Sequence, residues 1–145
     1  MIATKSPLFL REFTILKSIC EVIPFAEDNV DIKSVLANYP IDIDFGRQDD
    51  AENNINAVYV KVTINPEKCP GYSIYVEGVG IFSFEEKANL SSDEKNSLIQ
   101  YSGVTICITN LRAYVANITA YYPFGKFNFA TIDMIDLMKQ KKEQQ

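Results

Sequence analysis

The stretch "YSGVTICITNLRAYVANITAYY", residues 101–122, decides the fold, because it can be read as a strand or as a helix. Its "VTICIT" run at 104–109 is rich in β-branched residues, which are poor helix formers, and a strand over 103–109 is the competing reading. Against it, Tyr101, Val104, Ile108, Leu111, Val115, Ile118 and Tyr122 recur at alternating spacings of three and four. That spacing lays an apolar stripe along one side of a helix. Upstream, "SSDEK" offers Ser91 as N-cap with Glu94 three residues later, a capping box. Pro123 ends the run. The stretch therefore reads as one long helix.

Working outward, the first half is β structure. Residues 57–64, "AVYVKVTI", alternate, with Val58, Val60, Val62 and Ile64 on one face. In "YSIYVEGVGIFSFEE" the residues Tyr72, Ile74, Val76, Phe82 and Phe84 share one parity, with Gly78 and Gly80 between them. The two runs form an antiparallel hairpin with one buried face, and the glycines mark close approach of another backbone or helix. "PIDIDFG" at 40–46 is a third alternating strand. "LFLREFTILKSICEVI" at 8–23 is a fourth, with apolar residues on both parities, as at a sheet packed against a second subunit. A connection at 24–39 joins these two. Thr131 caps a short last helix that places Ile132, Ile135 and Met138 on one side. Strands segregated from helices predict a single α+β domain over 1–145: a four-stranded antiparallel sheet with both helices packed on one side.

Composition narrows function. The 145 residues carry a net charge of −5 and no histidine. Phosphate binding needs clustered Lys and Arg, which argues against nucleic acid. Lys139, Lys141 and Lys142 read as the basic end of a helix. Histidine-dependent catalysis and imidazole metal sites are excluded. Arg11 and Glu12 interrupt the apolar run near the N-terminus, so neither a signal peptide nor a membrane-inserting helix is expected. The chain reads as cytoplasmic, and Cys20, Cys69 and Cys107 as thiols in a reducing compartment.

Motifs for chemistry are weak. "DIDFGRQDDAE" gathers five carboxylates, but a calcium loop of the EF-hand type wants glycine where Arg47 stands, so the segment reads as a solvated loop after a strand. "EGVGIFS" lacks the third glycine and the Lys-Ser/Thr pair of a phosphate loop. Asp133 and Asp136 suit a helix N-terminus better than a catalytic pair. No enzyme activity, cofactor or metal is expected. That leaves "YYPFGKFNFATIDMIDLM" at 121–138, with five aromatic rings in nine residues. These rings are either core or an apolar surface kept for an interaction; Gly125, Lys126 and Asn128 suggest an exposed backbone.

This last stretch resembles the SecB family of export chaperones. Phe124, Phe127, Asn128, Phe129, Ala130, Ile132 and Leu137 fall on the family pattern F-P-x-L-N-L-A-P-V-N-F-D-A-L, directly or by similar residues. "GIFSF" at 80–84 matches the family's G-I-F-x-I strand, Arg112 falls on the arginine of P-Y-A-R-E, and "IDIDF" resembles the second strand. Together these run almost the length of the chain in the right order. Departures are Gly125 and Thr131 in place of two linker prolines, and Ser18, Val22 and Tyr75 where the family has acidic residues that dock the SecA motor.

The resemblance implies an ATP-independent holdase, assembled as a dimer of dimers, that binds unfolded preproteins or an antitoxin along apolar grooves. It implies client contacts at Phe25, Ile43, Phe45, Phe124, Phe127, Phe129, Met134 and Met138. For Val104, Ile108, Leu111 and Val115 two burials are open, against the sheet or against another subunit's helix as an oligomer interface. The departures favour a guardian of an antitoxin over a SecA-linked export factor. A non-chaperone domain using the aromatic linker as core or ligand pocket is the remaining reading.

Overall fold

The computed structural model describes residues 1–145. Four strands, β1 (Leu8–Ile23), β2 (Ile41–Asp50), β3 (Ile55–Ile64) and β4 (Gly71–Phe84), form one antiparallel sheet in the order β1-β4-β3-β2. β1 and β2 are thus its two edges. The hairpin read from the sequence is present: Val58, Val60, Val62 and Ile64 of β3 and Tyr72, Ile74, Val76, Phe82 and Phe84 of β4 are all buried. Asn54 secures the β2–β3 turn, pairing through its side-chain amide with the backbone of Phe84 at 2.7 and 2.9 Å.

Glycines 78 and 80 sit where expected. A Cβ on Gly78 would meet the Phe13 ring at 2.6 Å and Leu111 at 3.1 Å, and one on Gly80 would meet the Cys107 Sγ at 2.6 Å. The close approach is of side chains from β1 and the overlying helix.

β1 departs from a simple alternation. It pairs with β4 through two register shifts, between Leu10 and Glu12 and between Ile15 and Lys17. Each bulge adds a residue and flips the parity. Leu8 and Leu10, then Phe13 and Ile15, then Cys20 therefore face the core together, although they span both parities of the sequence. Part of the two-sided apolar pattern is thus one interior face read through two bulges. Phe9, Leu16 and Ile19 remain as exposed apolar residues on this edge strand.

The long helix runs as α2 (Ser92–Ser97), a π-helical turn (Leu98–Gly103) and α3 (Val104–Thr119), with helical backbone angles at each junction. Ser91 and Glu94 close the capping box. The wide π turn shifts the phase of the stripe. Ile99 and Gly103 turn inward ahead of it, and Tyr101 turns out to solvent. Val104, Ile108, Leu111 and Val115 are buried in the chain's own core. This corrects their reading as an oligomer interface: of the two burials left open, the sheet takes them.

Three local expectations are corrected. The connection at 24–39 contains a short helix, α1 (Ile32–Ala37), capped by Asp31 and anchored by buried Leu36. The acidic segment after residue 46 is not a loop, because β2 continues to Asp50 against β3. The last helix, α4 (Met134–Glu143), is capped by Asp133 and not Thr131, the Asp133 carboxylate accepting from the N–H groups of Ile135 and Asp136. Its inward side is Met134, Leu137, Met138 and Lys141, at helical spacing, while Ile135 is 79 % exposed. No helix is long and apolar enough to cross a membrane.

Candidate functional site: an apolar groove along β2

The aromatic linker between α3 and α4 divides into sealed and open rings. Phe127 and Phe129, two apart on an extended backbone, both turn into the core, and only 4 % and 2 % of their surfaces remain exposed. Polar contacts fasten the backbone above them. The N–H of Phe127 donates to the Thr119 hydroxyl at 2.8 Å, and the Arg112 guanidinium donates to the Phe129 carbonyl at 3.2 Å while lying 5.6 Å from its ring centre. Tyr72 reaches from β4 to do the same at the start of the linker. Its hydroxyl accepts from the N–H of Phe124 and donates to the carbonyl of Gly125, both at 2.9 Å. Burial pushes this phenol above its ordinary pKa, so it stays protonated as the second bond requires. Gly125 holds φ +83°, a left-handed angle that suits glycine.

The eight residues expected to touch clients therefore separate. Phe127, Phe129 and Met138 are core, which corrects their assignment as contact surface: alternation along the linker and the inward side of α4 turn them under the sheet's face. Phe25 and Phe124 meet edge to face, ring centres 5.0 Å apart, and Phe124 lies 5.6 Å from Tyr72. Both are half-buried. Ile43, Phe45 and Met134 are also half-buried, packed on the core with one side open. Ile43 and Phe45 lie on the edge strand β2, whereas Phe25 and Phe124 cluster against Tyr72 of β4.

Ile41, Ile43 and Phe45 of β2 lie opposite Ile64, Val62 and Val60, so they face the helical side of the sheet. α4 and the end of the linker lie over them and leave a cleft in two parts. One, of about 240 Å³, is lined by Ile41, Ile43, Ile132 and Leu137. The other, of about 400 Å³, has Phe45, Val58, Ile99 and Val104 as its apolar floor. Between them Lys141 spans from α4 to β2. Its ammonium bonds the Asp44 carboxylate at 2.5 Å and lies 5.4 Å from the Phe45 ring centre. The lysine and the Phe45 N–H hold Asp44 below the usual carboxylate range.

Sequence reasoning missed Ile41, Ile132, Leu137 and Lys141. Strand parity points to Ile41, and the spacing 134, 137, 138, 141 points to Leu137 and Lys141 once the cap is placed at Asp133.

No three acidic or cysteine side chains converge as metal ligands would. The Cys107 thiol is buried in the core and pushed up to about 12, which leaves it an inert hydrophobe at neutral pH. The arrangement offers apolar surface beside an unpaired strand edge, which can bind an extended chain.

No family model matches the chain, and no curated protein matches it in sequence. Among solved structures it is similar to the SecB-like chaperone Rv1957 of Mycobacterium tuberculosis, determined with a ChAD peptide from the HigA1 antitoxin Rv1956. The TM-score is 0.62 and the identity 11 %, over 88 % of each chain. The fold is SecB-like. A protein of unknown function from Streptococcus agalactiae is similar at a TM-score of 0.43, with 7 % identity over 86 % of this chain and 97 % of that one. The SecB-like fold accounts for the four-stranded sheet, the long helix and the short C-terminal helix on one side.

Proposed function

We propose that this protein is an ATP-independent holdase that binds unfolded client segments in the groove between β2 and α4 and does no covalent chemistry. One observation carries the reading. Along β2 a row of half-open apolar side chains, Ile41, Ile43 and Phe45, runs beside a strand edge with no partner strand. An extended client chain meets backbone donors and acceptors at that edge and apolar surface beside it, the combination used in strand addition. Sequence-tolerant apolar contact suits a holdase, which has to bind before its client collapses or aggregates. Phe25 and Phe124 form a second half-open aromatic cluster and are assigned the same role. The working form in this proposal is a cytoplasmic homo-oligomer.

Within the chaperone class, guarding an antitoxin is favoured over handing preproteins to SecA. The neighbour of known structure binds an antitoxin peptide, and Ser18, Val22 and Tyr75 stand where the SecB family has its motor-docking acids. The test is suppression of aggregation of a chemically unfolded substrate by the purified protein. Ile43→Ser with Phe45→Ser should abolish the suppression while the chain stays folded. Full suppression by that double variant, or none by the parent protein, overturns the reading.

A further inference from the structure

The charged residues along the groove are sorted by sign. At the Ile41 end its walls carry Asp42, Asp133 and Asp136 and no cation. At the Phe45 end they carry Arg47, Lys141 and Lys142, with Gln100 and Gln145, and no acidic side chain. Two of these cations have partners just outside the cleft: Arg47 pairs with Asp49, and its Nη2 donates to Asn96 at 3.2 Å, while Lys141 pairs with Asp44. Lys142 is exposed and unpaired. The Phe45 end is therefore cationic on balance, although the chain as a whole is at −5.

We infer that the groove selects extended client segments that have an apolar middle, a basic flank on one side and an acidic flank on the other. This deepens the holdase reading and rests on it. The geometry sets the length. From Ile41 to Arg47 the strand advances by six residues, about 20 Å at roughly 3.3 Å per residue, so the groove holds a client stretch of about six or seven residues. The apolar floor lies between the two charged ends, with Lys141 and Asp44 at the boundary. A client flank entering next to Asp133 and Asp136 meets carboxylates with no competing cation. The opposite flank meets Lys142, whose ammonium has nothing else to bond. A zwitterionic segment satisfies both ends at once, whereas net charge alone would favour clients that are basic throughout.

The experiment separates this selectivity from holding itself. Fluorescent peptides sharing one short apolar middle are given basic–acidic, doubly basic, doubly acidic or neutral flanks, and their affinities are measured by anisotropy. Exposed ion pairs are individually weak, so the basic–acidic peptide should bind roughly five-fold tighter than the neutral one. The advantage should vanish near 1 M salt, where the screening length is about 3 Å. Lys142→Glu, at an exposed position with no partner to lose, should move the preference to the doubly basic peptide. Equal binding of neutral and basic–acidic peptides, or tightest binding of the doubly basic peptide to the parent protein, overturns the selectivity and leaves the holdase standing. Failure of every peptide to bind, with the chain folded by circular dichroism, overturns both.

Discussion

Two sets of rings that look alike in sequence have opposite fates. Phe127 and Phe129 are sealed under a backbone held by Thr119 and Arg112, while Phe45 on β2 and Phe124 at the head of the linker keep one side open. Hydrophobicity does not separate them. What separates them is where the backbone turns each side chain: alternation along the extended linker sends Phe127 and Phe129 into the core, whereas Phe45 stands on an edge strand and Phe124 at a turn whose backbone Tyr72 holds. The sealed rings belong to the core; of the open ones, Phe45 lines the groove and Phe124 packs with Phe25 and Tyr72.

The sharpest way to break this comparison is to remove a sealed ring. Phe129→Ala should cost about 3–5 kcal/mol of unfolding free energy in urea denaturation; a loss under about 1 kcal/mol would place the ring at the surface. Next comes the clamp. Tyr72→Phe keeps the ring but strips the bonds to Phe124 and Gly125, and should cost about 1–3 kcal/mol. Amide exchange in residues 121–129 should rise with it.

Cys107 provides a pH signature of the sealed side. Its folded pKa lies above the unfolded value, so its contribution is complete below about pH 9 and is lost as pH rises towards 12. Stability should fall there by at most about 1.4 kcal/mol per pH unit, and Cys107→Ala should flatten that slope. An unchanged slope in the variant would mean the thiol is already reached by solvent.

The smallest effect belongs to the open side. Lys141→Ala removes a partly exposed ion pair and should change stability by about 1 kcal/mol or less, yet speed amide exchange across α4. Acid should mimic it. Asp44 has a lowered pKa, so its bond to Lys141 persists above the ordinary value of 3.8 and is lost as pH falls below it. Equal α4 exchange in parent and variant would show that the lysine does not hold the helix down.

How much of this was legible varies by element. β3 and β4 read directly, since each buries one face and a period of two then records the interior. β1 resisted, because two inserted residues reverse the parity twice and pairing with a distant strand decides where they go. The long helix was recovered in spite of its β-branched run, but the π turn was not, and with it Tyr101 moved from stripe to solvent. The last helix failed by two residues at its cap, enough to rotate Ile135 outward. In the linker, alternate rings suit a core or a contact surface equally well; only the partners of the Phe127 N–H and the Phe129 carbonyl decide, and those lie on α3.

The bulges of β1 bear on seeding. A protein proposed to hold sticky, extended chains exposes itself to the disorder it prevents, since an open sheet edge can recruit strand after strand. β1 is kinked twice and carries Arg11, Glu12, Lys17 and Glu21, so it offers no long flat template. At the other edge Asp42, Asp44, Asp49 and Asp50 set like charges along β2, which would repel a second β2 laid alongside. Both edges of the sheet thus resist propagation into a fibril.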